Sequence, residues 1–80
     1  MNFKVRIGLM NPSPKMLMNL ESSMERKKFR SLGGCLGRDD NYYVEYLYVR
    51  DSCTEKEICA LAHSIADQVQ KNPIVLVDKI

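Results

Sequence analysis

Residues 42–50 read Tyr-Tyr-Val-Glu-Tyr-Leu-Tyr-Val-Arg. Aromatic and β-branched residues at this density are typical of a β-strand. The preceding segment 37–41, Gly-Arg-Asp-Asp-Asn, is a turn signal and predicts a hairpin that leads back to a strand over residues 29–36. Gly33 and Gly34 lie inside that earlier strand, where glycine indicates a bulge or a bend.

Toward the N-terminus, the chain predicts a helix and then a further strand. Residues 2–9 alternate between apolar and polar side chains, which is typical of a half-buried strand. Ser13 fits a helix N-cap and Pro14 fits the first helical position, so we expect a helix over residues 14–28. Its expected buried stripe contains Met16, Leu17, Leu20 and Met24.

Toward the C-terminus, two overlapping capping boxes predict the start of a second helix. Ser52 with Glu55, and Thr54 with Glu57, both have the required spacing of three residues. This helix should run to about Lys71, with a buried stripe at Ile58, Leu61, Ala62, Ile65 and Val69. A closing strand is predicted over residues 74–77, extending as far as 79, and it is apolar on both faces at Ile74, Val75, Leu76 and Val77.

The predicted elements follow the order β-α-β-β-α-β. This order is typical of an α+β, two-layer ferredoxin-like sandwich, in which a four-stranded antiparallel sheet carries two helices on one face. We expect one small globular domain over residues 1–80. Its predicted core includes Phe3, Val5, Ile7, Val44, Ile58 and Ile65.

Composition indicates an ordinary globular protein of the cytoplasm. Hydrophobic residues make up 45% of the chain and charged residues 28%, and no apolar run has the length of a membrane span. The N-terminus alternates apolar and basic residues, unlike a signal peptide. Cys35, Cys53 and Cys59 cannot all pair within one chain, which favours reduced thiols. With one histidine and no Cys-x-x-Cys, we expect no metal site and no cofactor.

Charge is divided along the chain. Residues 1–38 hold eight Lys/Arg and two Asp/Glu, a balance of +6, whereas residues 39–80 hold four and eight, a balance of −4. The predicted topology brings the end of the first helix to the same end of the domain as the start of the second. We therefore expect Arg26, Lys27 and Lys28 to be neutralised mainly by Asp51, Glu55 and Glu57.

The strand over 42–50 does not alternate as a strand with one wet face should. If Glu45 lies on the open face beside Lys4 and Arg6, then Tyr43, Leu47 and Val49 share that face. Strands that are apolar on both sides usually have both sides covered. The cover would come from a second copy, a partner or a ligand. The alternative is that four tyrosines, whose hydroxyls tolerate water, line a sheet face that nothing covers.

These observations favour a small non-enzymatic cytosolic binding module that acts through protein–protein contacts. Such a module would be an adaptor, a regulator or an inhibitor of a larger machine, and a phage or another mobile element would be a fitting source. It would bind a protein partner or associate with itself, for example as a homodimer, and would bind no membrane. The expected partner-binding residues are Lys4, Arg6, Arg30, Tyr43, Glu45, Leu47 and Val49, and no catalytic residue is assigned.

The sequence is also compatible with two other functions. Lys4, Arg6 and Arg30 with Tyr43 would suit a nucleic-acid platform, which needs aromatic rings interleaved with cations. However, the signature of RNA-recognition domains is matched only over residues 43–46, and its beginning would fall on an acidic segment. The third reading, a small-ligand regulatory domain or an enzyme, has no nucleophile, base or phosphate loop to support it.

Overall fold

The computed structural model describes residues 2–50 and 53–80, and its elements follow the predicted order. The four strands form one antiparallel sheet in the order β2-β3-β1-β4, so the chain has the ferredoxin-like α+β topology that the sequence predicted. The elements are β1 (Asn2–Met10), α1 (Pro14–Arg26), β2 (Arg30–Leu36), β3 (Asn41–Val49), α2 (Glu55–Asp67) and β4 (Ile74–Lys79).

One face of the sheet forms the core together with both helices. In the central pair of strands, Val5 lies opposite Tyr46 and Ile7 lies opposite Val44, all on the covered face. Five of the six predicted core residues are buried, and Val44 is half-buried and packs against them. The buried cluster is Phe3, Val5, Ile7, Leu9, Leu20, Met24, Phe29, Tyr46, Tyr48, Ile58, Ala62, Ile65 and Ala66.

Most of the residues predicted to form the buried stripes of the two helices are buried or pack against the core. Leu20 and Met24 of α1 are fully buried and Leu17 packs against the core, whereas Met16 is half-buried and lies outside the core cluster. In α2 the buried positions include Ile58, Ala62 and Ile65, with Leu61 and Val69 packed beside them. No helix in the described ranges is long and apolar enough to cross a membrane.

Both helices begin where their capping residues predict. The Ser13 Oγ accepts a hydrogen bond from the Met16 amide at 3.2 Å, and Pro14 occupies the first helical position. Thr54 caps α2, because its Oγ1 accepts from the Glu57 amide at 3.2 Å. The other predicted capping residue, Ser52, lies outside the described residues.

Helix α1 ends two residues earlier than predicted, in a Schellman motif. Lys28 takes a left-handed conformation, with φ of 70°. Its amide bonds to the Glu25 carbonyl at 2.9 Å, and the Phe29 amide bonds to the Met24 carbonyl at 3.0 Å. Helix α2 also stops early, at Asp67, where the Gln68 and Val69 amides bond to carbonyls only three residues back and tighten the last turn.

The hairpin between β2 and β3 has the predicted turn and bulge. The Gly37 amide bonds to the Asn41 carbonyl at 2.7 Å, and Asp39 Oδ1 accepts from the Asn41 amide at 3.2 Å. The register shifts between Ser31 and Gly33, where Gly33 has φ of 112°. The aspartate in this turn thus has a backbone role.

The four tyrosines of β3 do not all lie on the open face of the sheet. The alternative interpretation, in which they line an uncovered face, is therefore wrong. Tyr42, Tyr46 and Tyr48 follow the covered face, and only Tyr43 lies on the open one. Tyr46 has 0% exposure, and its hydroxyl has no hydrogen-bond partner among residues 2–50 and 53–80. Burial raises the pKa of this phenol. Phe29 packs edge-on against Tyr46, with ring centroids 6.4 Å apart.

The orphaned hydroxyl gives a direct test of the packing. Tyr46→Phe should leave the free energy of unfolding unchanged or raise it by up to about 1 kcal/mol, because the removed polar group is buried without a partner. Urea denaturation would measure this change. Ile65→Ala is the matched core control and should cost about 2–5 kcal/mol. A marked loss of stability in Tyr46→Phe would show that the hydroxyl has a partner.

Candidate functional site: the open face of the sheet

All seven side chains expected to bind a partner lie on the face opposite the helices. The β3 positions Tyr43, Glu45, Leu47 and Val49 alternate with those of the core. Across the strands, Arg30, Leu47 and Lys4 form one row, while Arg6 lies opposite Glu45 in the next. The register thus brings together residues from β1, β2 and β3 that are distant in sequence. Their role in binding remains a prediction.

Glu45 is the centre of a three-residue ion cluster on this face. Its Oε2 accepts from Arg6 Nε at 3.2 Å and from Arg6 Nη2 at 3.0 Å, and it lies 3.2 Å from Lys4 Nζ. The hydrogen bond from Lys4, and secondly that from Arg6, hold the pKa of Glu45 below its ordinary value. The two cations of β1 are therefore largely neutralised by one carboxylate on the neighbouring strand.

Tyr43 is held in place by two glycines and an aspartate. A Cβ atom at Gly8 would lie 2.6 Å from Cε1 of the ring, and one at Gly37 would lie 2.5 Å from Cε2. The ring therefore fits between backbone segments that carry no side chain. Its hydroxyl donates to Asp39 Oδ2 at 2.6 Å, a bond that lowers the pKa of Asp39 and raises the pKa of Tyr43.

Apolar side chains and a shallow groove complete the open face. Val49 is 63% exposed and Leu76 of β4 is 47% exposed. A groove of about 450 Å³ is lined by Arg6, Cys35, Gly37, Arg38, Asp39, Tyr43, Glu45 and Leu76. Leu76 was not among the predicted site residues, although the apolar run 74–77 was a usable signal. The position of Cys35 in the groove follows only from the pairing of β2 with β3.

Among the described residues, the basic run at the end of α1 forms no direct ion pair with two of the three expected partners, Glu55 and Glu57. Within residues 2–50 and 53–80, no salt bridge of 4.0 Å or less joins Arg26, Lys27 or Lys28 to the glutamates at the start of α2. The expected pairing with Asp51 lies outside the described residues. The three cations instead line a cavity together with Tyr48, Val49 and Arg50. Mutual neutralisation with Glu55 and Glu57 therefore does not occur by direct contact.

Across the described part of the chain, no three His, Cys, Asp or Glu side chains are grouped so that they could hold a metal ion. His63 is exposed and Cys59 is half-buried on α2.

No protein-family model, curated protein or solved structure matches this chain.

The seating of Tyr43 predicts a specific coupling with Gly8. Gly8→Ala should cost about 1–3 kcal/mol of folding free energy, because the new methyl group overlaps the tyrosine ring. In a Tyr43→Ala background the same change should cost less by at least about 1 kcal/mol, and the cost that remains reflects the 3.2 Å approach of the new Cβ to Ile74 Cβ. Denaturant unfolding of the parent, the two single variants and the double variant measures the difference. Tyr42→Ala is the control background, since Tyr42 faces the helices. Equal costs in all backgrounds would contradict the contact.

The ion cluster predicts a pH dependence of stability. Because the pKa of Glu45 is lowered in the folded state, its stabilising contribution is present above its ordinary value, about 4.5. The contribution is lost as pH falls through the lowered pKa. The stability difference between the parent and Glu45→Gln should thus be larger at pH 7 than at pH 3, by at most about 1 kcal/mol for so exposed a cluster. Urea unfolding at both pH values measures it. A difference that does not change with pH would contradict the pairing.

Proposed function

We propose that this chain is a non-enzymatic protein-binding module of the cytoplasm, which docks a partner on the open face of its sheet. One observation carries the proposal: an entire sheet face presents apolar and charged side chains, and no element of the described residues lies over it. Apolar patches rimmed by charges mark interaction sites. An adaptor, a regulator or an inhibitor of a larger assembly would use such a face.

The side chains at the centre of this face are already ordered. Tyr43 is fixed by its bond to Asp39, and Arg6 is fixed by two bonds to Glu45. Side chains held in place before binding lose less conformational entropy when a partner arrives. Tyrosine and arginine are also the residue types that most often anchor protein interfaces. The ordered centre thus favours recognition of a defined protein surface.

The size of the face indicates a contact that extends beyond it. Four strands about 4.8 Å apart and about 25 Å long give an area of about 500 Å². A stable complex usually buries about 800 Å² on each partner. The edge strand β2 supplies further apolar surface, because Leu32 and Leu36 are exposed there. A partner that covers the face and this edge would reach the usual size, whereas two copies stacked face to face would not.

The ion cluster disfavours nucleic acid as the partner of this face. Binding to a phosphate backbone needs protein cations that can replace the counterions of the phosphates. Lys4 and Arg6 are both bonded to Glu45, and Tyr43 has its hydroxyl engaged with Asp39. A polynucleotide would have to displace the carboxylate from both cations. We therefore favour a protein partner over nucleic acid.

The test compares two open-face variants with one control. Tyr43→Ala and Leu47→Asp should each weaken capture of a partner from native extract at least about tenfold, as expected for interface anchors. Met18→Asp, at an exposed position of α1, is the control and should capture as the parent does. Sedimentation of the same proteins separates self-association from binding of another protein, and circular dichroism confirms that each variant is folded. If both open-face variants associate like the parent, the proposal is wrong.

A further inference from the structure

A second surface, at one end of the domain, concentrates positive charge. Arg26, Lys27 and Lys28 from the end of α1 meet Arg50 from the end of β3 around a cavity of about 400 Å³. Among residues 2–50 and 53–80, Tyr48 and Val49 complete its lining, and none of these lining residues carries a carboxylate. We call these four cations with Tyr48 the basic pocket. Four like charges at one cavity repel one another unless an anion lies between them.

Tyr48 is the buried residue in the lining of this pocket. The residue is 4% exposed, and its ring stacks on Phe29 with centroids 4.3 Å apart. Its hydroxyl oxygen accepts a hydrogen bond from Arg50 Nη1 at 3.0 Å. In the part of the chain that the structure describes, the hydroxyl's own proton has no acceptor. A phenol that accepts from a guanidinium and keeps its proton free is suited to donate to an anion.

Lys28 occupies a backbone position that ordinarily belongs to glycine. It is the left-handed residue of the Schellman motif, with φ of 70°. A residue with a Cβ is strained in this conformation, and such strain is characteristic of functional positions. The same motif gives the Met24 and Glu25 carbonyls hydrogen bonds from backbone amides. Lys28 therefore combines a backbone conformation that favours glycine with a place in the lining of the cavity.

We propose that the basic pocket binds a phosphate group, either as free inorganic phosphate or as the monoester of a small molecule. The arginine side chains offer forked donors that match phosphate oxygens, and the lysines add point charges. The exposed side chain of Val49 borders the cavity and would contact the body of an organic phosphate. A dianionic phosphate would also relieve the repulsion among the four cations.

The pocket suits one phosphoryl group better than a nucleic-acid strand. A strand needs a basic track along which successive phosphates bind. On the adjoining open face, Glu45 neutralises Lys4 and Arg6, so no continuous track leads away across β1. The two cations of β1 therefore do not extend the basic pocket across the sheet.

The experiment titrates the protein with inorganic phosphate at constant low ionic strength, followed by amide NMR shifts. We expect saturable shifts centred on residues 27–29 and 48–50. The variant Lys27→Gln/Lys28→Gln should bind at least about tenfold more weakly, because charged hydrogen bonds are lost. Tyr48→Phe, which keeps the stack on Phe29, should bind at least about threefold more weakly. Lys15→Gln/Lys71→Gln removes the same charge elsewhere and should bind within about twofold of the parent.

A further variant separates binding from folding. Lys28→Gly should raise the midpoint of thermal unfolding, since glycine accepts the left-handed conformation, and yet weaken phosphate binding. Comparison of phenyl phosphate with inorganic phosphate identifies the source of the group, because tighter binding of phenyl phosphate indicates an organic carrier packed on Val49. Three results would overturn the proposal: no saturable binding, equal weakening in the Lys15/Lys71 control, or far tighter binding of a single-stranded oligonucleotide than of either phosphate.

Discussion

The register between β1 and β3 determines the two faces of this domain. Because side chains alternate along a strand, a slip of one residue would exchange the core set for the exposed set. Val5 opposite Tyr46 lies under the helices, while the next pair, Arg6 opposite Glu45, faces outward. The ion pair and the hydrophobic pairs therefore support the same register from opposite sides. The core, the open face and the seat of Tyr43 all follow from that single alignment.

The packed rings of Phe29, Tyr46 and Tyr48 connect the segment after α1 with strand β3. Phe29 comes directly after the basic run and stacks on Tyr48, which places the end of α1 against the end of β3. This contact brings cations from two separate segments together. Charge that looked like an imbalance along the chain is, in three dimensions, a local concentration at one corner and a neutralised cluster on the sheet.

The element order and the central ion cluster could be predicted from the sequence because they rest on local signals. The N-cap residues Ser13 and Thr54 mark where the two helices begin. Glu45, a single charged residue in an apolar strand, marks the solvent-facing side of the sheet. The surroundings of Tyr48 could not be predicted, since they depend on where the α1–β2 corner packs. Nothing local shows that Lys28 turns left-handed, because a lysine carries no such preference. Tertiary packing decides those features.

The irregular edge of β2 has a consequence for aggregation. An exposed strand edge with apolar side chains can recruit the same strand from another molecule and start a fibril-like stack. Between Ser31 and Gly33 the pairing of β2 with β3 shifts its register. Gly33 also has a positive φ, which a flat intermolecular sheet does not accommodate. The bulge thus blocks uncontrolled growth at this edge, and Leu32 and Leu36 can stay exposed there without serving as a template.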